Sequence, residues 1–436
     1  MKMKVGIIGG TRGLGKTLAW FFKKEDFDVT ITGRDETVGK ITSDEINVKY
    51  SNNNEKTVKS SDIVVIAVPI SSTESVIREL APYMTTGSLM IDVTSVKEGP
   101  SKVMDEVIPE DVEFIPTHPV FGPRTTSLNG QVIVLTPLKK GVWYSKVKSF
   151  LENRKMRVIE TVPTEHDKMM AIVQVLTHFS YISTAYTIAK LGVNVKDTQE
   201  FESPIYNLMI DIIARIVSQN PFLTYSIQLE NNSGEMVRQT FSEAVNELKE
   251  VISNKNENEF VDIALTATKN MGDIQSALGR SDKAINSLNH EANILKKSIG
   301  KEIGLKHIYS GIVHIGVLED LGPEFLKLNI NKQTKKLKIA NVEVLNDEEL
   351  FKWKMKLQKI YSQSFSCVFP RNADSSIIRD TIKKIKNVTN VEITDVYNGP
   401  QIPEKFVSFT FEVRALDEFA FEDIKLLLKG FGGVIR

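Results

Sequence analysis

The stretch Met1-Lys-Met-Lys-Val5-Gly-Ile-Ile-Gly-Gly10-Thr-Arg-Gly-Leu-Gly15 decides the fold of the N-terminal part of this chain. An apolar strand at residues 5–8 runs into a glycine cluster, and apolar residues at positions 14, 18, 21 and 22 predict a helix after it. Strand, glycine-rich turn and helix present backbone N–H groups and a helix N-terminus to a pyrophosphate. The stretch therefore predicts a dinucleotide site that includes Gly9, Gly10, Thr11, Arg12, Gly13, Leu14 and Gly15.

Residues 1–160 alternate short apolar strands with helices. Because the strands are continuous apolar runs, we expect both of their faces to be buried, as in a parallel sheet. This pattern predicts a dinucleotide-binding α/β domain with a doubly wound, Rossmann-type sheet. The further predicted strands are residues 29–32, 63–68, 89–93, 113–115, 132–135 and 158–159.

Three more segments follow along the chain. Residues 161–300 have helical periodicity and predict an all-helical domain. Its first helix is expected to start in Thr164-Glu-His-Asp167 with a capping side chain. Residues 301–363 are interpreted as a connecting segment with strands at 326–330 and 337–344. Residues 364–436 have the order βαββαβ, which predicts an α+β ferredoxin-like module. Its elements are expected at residues 364–369, 375–386, 391–396, 405–413, 421–428 and 433–435.

Composition and charge narrow the classes of function. The 436 residues include 55 basic and 55 acidic side chains, and this balance argues against nucleic acid as a partner. Cys367 is the single cysteine, which excludes an intramolecular disulfide. No apolar run reaches the length of about 18 residues that a membrane helix needs. The first strand begins too early for a signal peptide, so we expect a cytoplasmic protein. No histidine or carboxylate spacing suggests a metal site.

The end of the second strand bears on the choice of cofactor. An acidic residue there usually binds the ribose 2′-hydroxyl of NAD, but this chain has Gly33 followed by Arg34. A missing carboxylate beside a guanidinium suits a 2′-phosphate, so NADP is favoured. NAD stays an alternative, because a small shift would bring Asp35 to the ribose.

Polar residues follow two other strands, where ligands of parallel sheets bind. Thr94 and Ser95 come after the strand at 89–93, and either contribute to a site or are ordinary loop hydroxyls. His118 comes after the strand at 113–115, and Pro119 restricts its backbone to an extended turn. A histidine there could accept a proton near neutral pH or could have no role.

Two polar residues fall on apolar helices. His178 is either a core histidine or a site residue, and Arg215 on an apolar helix edge needs an anionic partner, from the protein or from a substrate. His166 is interpreted as part of a helix-start turn without a role.

Taken together, these motifs resemble the prephenate dehydrogenase family. The matching pieces are Gly9–Gly15, Val68-Pro69, Asp92 to Lys97, His118-Pro-Val-Phe-Gly122, Glu165-His-Asp-Lys-Met-Met-Ala171, His178, and Arg215 with Pro221. The resemblance spans roughly residues 1–250. It implies oxidative decarboxylation of prephenate to 4-hydroxyphenylpyruvate in tyrosine biosynthesis, with hydride transfer to NADP or NAD. It also implies a homodimer formed through the helical domain.

The resemblance also implies roles for single residues. His118 would accept the proton of the ring hydroxyl, Ser95 would orient His118, Arg215 would bind a substrate carboxylate, and His178 would position the substrate. Val68, Pro69 and Thr94 would lie at the cofactor. The C-terminal module resembles ACT-type regulatory domains in architecture, so tyrosine is a candidate effector, beside a purely structural role. Arogenate dehydrogenase, another NADP-dependent oxidoreductase, and an NADP-sensing regulatory protein remain alternative functions.

Overall fold

The computed structural model describes residues 2–198, 201 and 203–436. The described residues form two compact units, one that ends at Gly272 and one that runs from Asp273 to Arg436. The first unit is built on an eight-stranded sheet of order β3-β2-β1-β4-β5-β6-β7-β8. Neighbouring strands are parallel, except that β6 and β7 run antiparallel. The strands are β1 Lys4–Ile8, β2 Asp28–Thr32, β3 Lys49–Ser51, β4 Ile63–Ile66, β5 Leu89–Asp92, β6 Glu113–Pro119, β7 Val132–Leu135 and β8 Arg157–Glu160.

Helices cover both faces of this sheet. Ile7 and Val65 belong to the core on one face, whereas Ile8 and Val64 belong to the core on the other. Successive residues of a strand point to opposite faces, so the continuous apolar runs fill two cores. The predicted doubly wound fold is confirmed. The covering elements are α1 Gly13–Lys24, α2 Glu36–Ile46, α3 Asn54–Lys59, α4 Ile70–Leu80, a 3₁₀ turn Ala81–Tyr83, α5 Glu98–Val107 and α6 Val142–Asn153.

Strand β6 is longer than the sequence predicts. His118 was expected in a turn beyond the strand, but it lies inside β6 and pairs with Val134 of β7. The extended backbone that Pro119 imposes on His118 is also the backbone of a strand, so pairing with β7 continues the strand to Pro119.

The rest of the first unit is helical, as predicted. Its first helix starts at Pro163 and has no side-chain cap, contrary to the expected start in Thr164-Glu-His-Asp167; proline is favoured in a first helical turn. A π-helix at Ala171–Leu176 then interrupts the helical segment that the sequence predicts. The elements are α7 Pro163–Met170, the π-helix, α8 Thr177–Lys190, α9 Val195–Thr198, α10 Pro204–Val217, α11 Pro221–Glu230, α12 Gly234–Ser253 and α13 Glu257–Asn270.

The second unit begins with a long helix and an antiparallel sheet of order β12-β11-β10-β9-β13. The sheet occupies the range in which the sequence predicted a connecting segment with two strands. Leu305, Leu318 and Leu328 form its core with Leu295 from the helix. The elements are α14 Ile274–Lys297, β9 Glu302–His307, β10 Val313–Leu321, β11 Phe325–Ile330, β12 Gln333–Lys338, a 3₁₀ turn Ile339–Asn341, β13 Val342–Val344 and α15 Asp347–Leu357.

The C-terminal part of the second unit has the predicted βαββαβ order. Its sheet has the order β15-β16-β14-β17 with antiparallel neighbours, and Phe365, Phe369 and Phe411 form its core. The elements are β14 Tyr361–Pro370, α16 Ser375–Ile382, β15 Val388–Tyr397, β16 Phe406–Ala415, α17 Phe419–Gly430 and β17 Val434–Ile435. Of the helices that the structure describes, none is both long and apolar enough to cross a membrane.

Candidate active site

The glycine cluster forms a tight cradle between β1 and α1. Gly9 has a φ of +86°, and a Cβ atom there would lie 2.6 Å from the carbonyl oxygen of Ala67. A Cβ on Gly15 would collide with the carbonyl oxygen of Gly9. Gly13 also has a positive φ, of +55°, where α1 begins. The backbone of the glycine turn is therefore not covered by side chains beside the first turn of α1. The N–H groups of that first turn lack intrahelical acceptors, so these residues fit a pyrophosphate.

The side chains around the cradle carry positive charge at its open edge. Arg12 and Arg34 are both exposed. Asp35 accepts a hydrogen bond from the Val38 amide at 3.1 Å and so caps α2. The Arg12 guanidinium also reaches Asp35, at 3.3 Å. Such an exposed ion pair is worth only about 0–1 kcal/mol, so Arg12 is free to turn toward a bound phosphate.

The other cofactor candidates border this cradle or lie on the loop after β5. Val68 packs beside Gly9, and Pro69 is the residue before α4. Thr94 is buried; its hydroxyl donates to the Asp92 carboxylate and accepts a 3.1 Å hydrogen bond from Lys97 Nζ. The Thr94 side chain is thus part of a protein network.

A buried ion pair supports the loop after β5. The Lys97 side chain is fully buried and its ammonium pairs with the Asp92 carboxylate. Asp92 in turn accepts a 3.2 Å hydrogen bond from the Thr117 amide, next to His118 on β6. Burial lowers the pKa of Lys97, and the negative charge of Asp92 opposes that change.

His118 belongs to a hydrogen-bond relay of three side chains, His118, His166 and Asp167, and the sequence motifs indicated a role for only the first of them. Its Nδ1 lies 2.9 Å from Nε2 of His166, whose Nδ1 lies 2.7 Å from Oδ1 of Asp167. The Asp167 carboxylate also accepts backbone hydrogen bonds from Lys97 at 2.7 Å and Glu98 at 2.9 Å, at the start of α5. All three side chains of the relay are buried.

The hydrogen bonds of this relay fix the tautomers of the His118 and His166 rings. A carboxylate only accepts hydrogen bonds, so His166 Nδ1 donates to Asp167 and the neutral ring accepts at Nε2. His118 Nδ1 must then donate to His166, which leaves the lone pair of His118 on Nε2. The amide nitrogen of Gln174 lies 3.3 Å from that Nε2.

The electrostatic surroundings keep His118 neutral. Burial lowers its pKa well below the usual value of 6.5, and the positive charge of the nearby Lys97 lowers it further. At neutral pH the ring therefore has an unprotonated Nε2, as a general base requires.

The other predicted residues stand apart from this chain of hydrogen bonds. Ser95 is half-buried, and in the described part of the protein the side-chain partners of His118 are His166 and Gln174, not Ser95. His178, at the start of α8, is buried, and burial lowers its pKa. Among the described residues its Nδ1 has no hydrogen-bond partner. Arg215 on α10 is exposed, with no ion pair among the described side chains of this single chain. No group of three metal-binding side chains occurs in the searched, described residues.

Comparisons with known proteins show which family the chain resembles. A family model described as "Prephenate dehydrogenase, nucleotide-binding domain" matches residues 18–160, and one described as "Prephenate dehydrogenase, dimerization domain" matches residues 162–265. The chain is 42% identical over 443 residues to a probable arogenate/prephenate dehydrogenase of Methanocaldococcus jannaschii, which covers 100% of this chain and 98% of that protein.

More distant relatives match about three fifths of the chain. The T-protein of Haemophilus influenzae is 27% identical over 259 residues, which cover 59% of this chain and 64% of that protein. The solved structure of a prephenate dehydrogenase from A. aeolicus, in complex with hydroxyphenyl propionate and NAD+, has a TM-score of 0.51 and 20% identity. It covers 63% of this chain and 99% of that one, and it shows a likeness of fold.

Proposed function

The chain belongs to the prephenate dehydrogenase family, and we propose on this basis that it oxidises and decarboxylates prephenate to 4-hydroxyphenylpyruvate, with NADP as the hydride acceptor. The observation that carries the proposal is the neutral, buried His118, whose Nε2 lone pair is held in place by His166 and Asp167. Arogenate is the second candidate substrate, because the Methanocaldococcus jannaschii relative is described as acting on either.

His118 supplies the base that this reaction needs. Removing a hydride from a carbon that carries a hydroxyl group requires the hydroxyl proton to leave, and His118 Nε2 accepts it. The nicotinamide ring, when bound, takes the hydride. The ring carboxylate then leaves as CO2, and its bonding electrons complete the aromatic ring. Asp167, acting through His166, stabilises the positive charge that His118 acquires.

The remaining site residues would recognise a dianionic substrate. We assign Arg215 to a substrate carboxylate, because its guanidinium is exposed and unpaired among the described side chains of this chain. We assign His178 to substrate positioning, because its buried Nδ1 has no partner in the described protein. Ser95, on the loop after β5, would contact the reacting end of the substrate.

NADP is favoured over NAD for a reason of charge. Gly33 and Arg34 follow the strand β2, and Asp35 is engaged as the cap of α2. Two exposed guanidinium groups therefore flank the place of the ribose, where a 2′-phosphate would pair with them.

A homodimer would cover the apolar surface of the helical segment. Its helices expose many large apolar side chains, which a monomer in water rarely leaves uncovered in such number. Examples are Ile182, Tyr186, Leu191, Ile205, Met209, Phe222, Tyr225, Leu229 and Met236.

We also propose that the ferredoxin-like module responds to tyrosine. Adding tyrosine to the turnover assay tests this proposal, because a response would change the rate.

A direct assay tests the proposed function. Purified protein is mixed with prephenate or arogenate, each with NADP or NAD, and the absorbance of the reduced nicotinamide is followed. We expect the fastest reduction with prephenate and NADP. No reduction in any of the four mixtures contradicts the proposal, faster turnover with NAD overturns the cofactor choice, and faster turnover with arogenate makes that the substrate.

A further inference from the structure

Gln174 is the side chain that contacts the basic nitrogen of His118, and it lies in an unusual turn. The π-helix Ala171–Leu176 inserts one extra residue into the path from α7 to α8. Such wide turns are rare and often occur at functional sites. Gln228 on α11 contacts this turn from outside: its amide donates a 3.0 Å hydrogen bond to the carbonyl oxygen of Val175.

The carboxamide of Gln174 is only partly satisfied. Its nitrogen lies 3.3 Å from His118 Nε2, a long separation for a hydrogen bond. Its oxygen is buried and, among the described residues, has no partner. Buried polar atoms are nearly always paired, so a carboxamide that lies next to the base and is only partly satisfied indicates that a bound ligand completes its hydrogen bonds.

We propose that Gln174 is a catalytic residue that donates a hydrogen bond to the substrate hydroxyl group whose proton His118 removes. This inference rests on the proposed function. A hydroxyl oxygen that gives its proton to His118 Nε2 lies about 2.8 Å from that nitrogen. The carboxamide, already beside Nε2, is then adjacent to the same oxygen and has two N–H bonds to offer.

The hydrogen bond would be strongest as the reaction proceeds. The O–H bond breaks to His118, the C–H bond breaks with its electron pair to the cofactor, and the oxygen carries extra negative charge until the C=O bond forms. A donor aimed at that oxygen in a buried site stabilises the transition state more than the bound substrate. Gln174 should therefore affect kcat more than KM.

Two substitutions separate this role from simple packing. Gln174→Met keeps the length of the side chain and removes the donor, and we expect kcat to fall about 10- to 100-fold with KM changed by less than about threefold. Gln174→Glu keeps the shape, so it also tests the role if the Met variant does not fold. Its negative charge should raise the pKa of His118 and move the acidic limb of the kcat profile to higher pH.

Gln228→Met is the matched control. It removes a half-buried glutamine that bonds to the same turn without contacting His118. We expect its kcat to stay within about threefold of the wild type. Binding of 3-(4-hydroxyphenyl)propionate and 3-phenylpropionate, measured by calorimetry with NADP present, adds a readout without turnover. The wild type should prefer the hydroxylated compound, and Gln174→Met should lose most of that preference.

The outcomes distinguish this inference from the proposed function. A wild type without turnover of prephenate or arogenate refutes the function, and the role of Gln174 falls with it. An active wild type refutes the role of Gln174 alone if Gln174→Met keeps its kcat, or if Gln228→Met loses as much.

Discussion

Replacing Asp167 by Asn should lower kcat by about 10²- to 10³-fold, or about 2.7–4 kcal/mol of transition-state stabilisation. Three donors converge on this carboxylate, from the amides of Lys97 and Glu98 and from Nδ1 of His166. An Asn side chain replaces one accepting oxygen by an NH2 group, so at least one donor loses its partner. Where the NH2 group faces His166, that ring must accept at Nδ1 and carry its proton on Nε2.

The reversed tautomer disables the base. His166 would then donate to His118 Nδ1, and the proton of His118 would move to Nε2, where the substrate hydroxyl must give up its own. In serine proteases, a carboxylate-to-carboxamide change next to the catalytic histidine costs on the order of 10⁴ in kcat. We expect a smaller loss here because a second imidazole separates Asp167 from His118.

The assay is steady-state turnover with the preferred substrate and cofactor, together with thermal unfolding. KM should change by less than about threefold, and the unsatisfied buried donor should lower the free energy of unfolding by about 1–3 kcal/mol. Asn231→Ala is the control, because Asn231 donates to the Asp167 backbone carbonyl at 2.8 Å and leaves the carboxylate intact. An Asp167→Asn enzyme with kcat within about threefold of the wild type refutes the relay.

Four further predictions concern the base, the substrate contact, the cofactor and the pH dependence of stability. His118→Asn should lose most of kcat, whereas Arg215→Ala should mainly raise KM for the substrate. Steady-state kinetics checks both variants, and a normal kcat in His118→Asn would show that His118 is not the base. Arg34→Ala should raise KM for NADP about tenfold or more and leave KM for NAD nearly unchanged, and equal effects on the two would contradict the charge argument. Burial holds the pKa of His118 in the folded protein below its unfolded value of about 6.5. Between the folded and the unfolded pKa the unfolded chain binds more protons, so the stability of the fold falls as the pH drops through that window. Thermal unfolding of His118→Asn should depend less on pH below about 6.5 than that of the wild type, and an unchanged dependence would assign the effect elsewhere.

The nucleotide-binding part could be predicted because its signals are local. The glycine cluster and the apolar runs specify strand, turn and helix within a few residues, and each predicted strand of the first sheet is present. The extension of β6 to Pro119 was missed because it depends on pairing with β7, whose partner residues lie farther along the chain. That pairing places the backbone of His118 in the sheet, which holds it rigidly.

The hydrogen-bond relay could not be read from spacing. His118 and His166 are 48 residues apart and meet only when α7 packs beside the sheet. The adjacent His166 and Asp167 were a usable signal, since a carboxylate next to a histidine often orients its ring. The π-helix has no local signal that we recognise in its sequence.

The sheet at 302–344 was underpredicted for a different reason. Strand β12, Gln-Thr-Lys-Lys-Leu-Lys, is a mostly exposed edge strand whose single buried residue is Leu337. Charged edge strands are common because lysine discourages further pairing, but their composition resembles that of a loop. Only the pairing with β11 distinguishes this segment from a connector.

Asp167 couples the position of the base to the packing of the nucleotide-binding part against the helical part. One carboxylate oxygen contacts His166 and the Lys97 amide, while the other accepts from Glu98, so the same group binds the start of α5 and orients His118. A shift of α7 away from α5 would break these bonds together and leave His118 Nδ1 without its acceptor on His166. A base built this way is competent only when the two parts are packed together, so substitutions between α5 and α7 should reduce kcat even where they contact neither substrate nor cofactor.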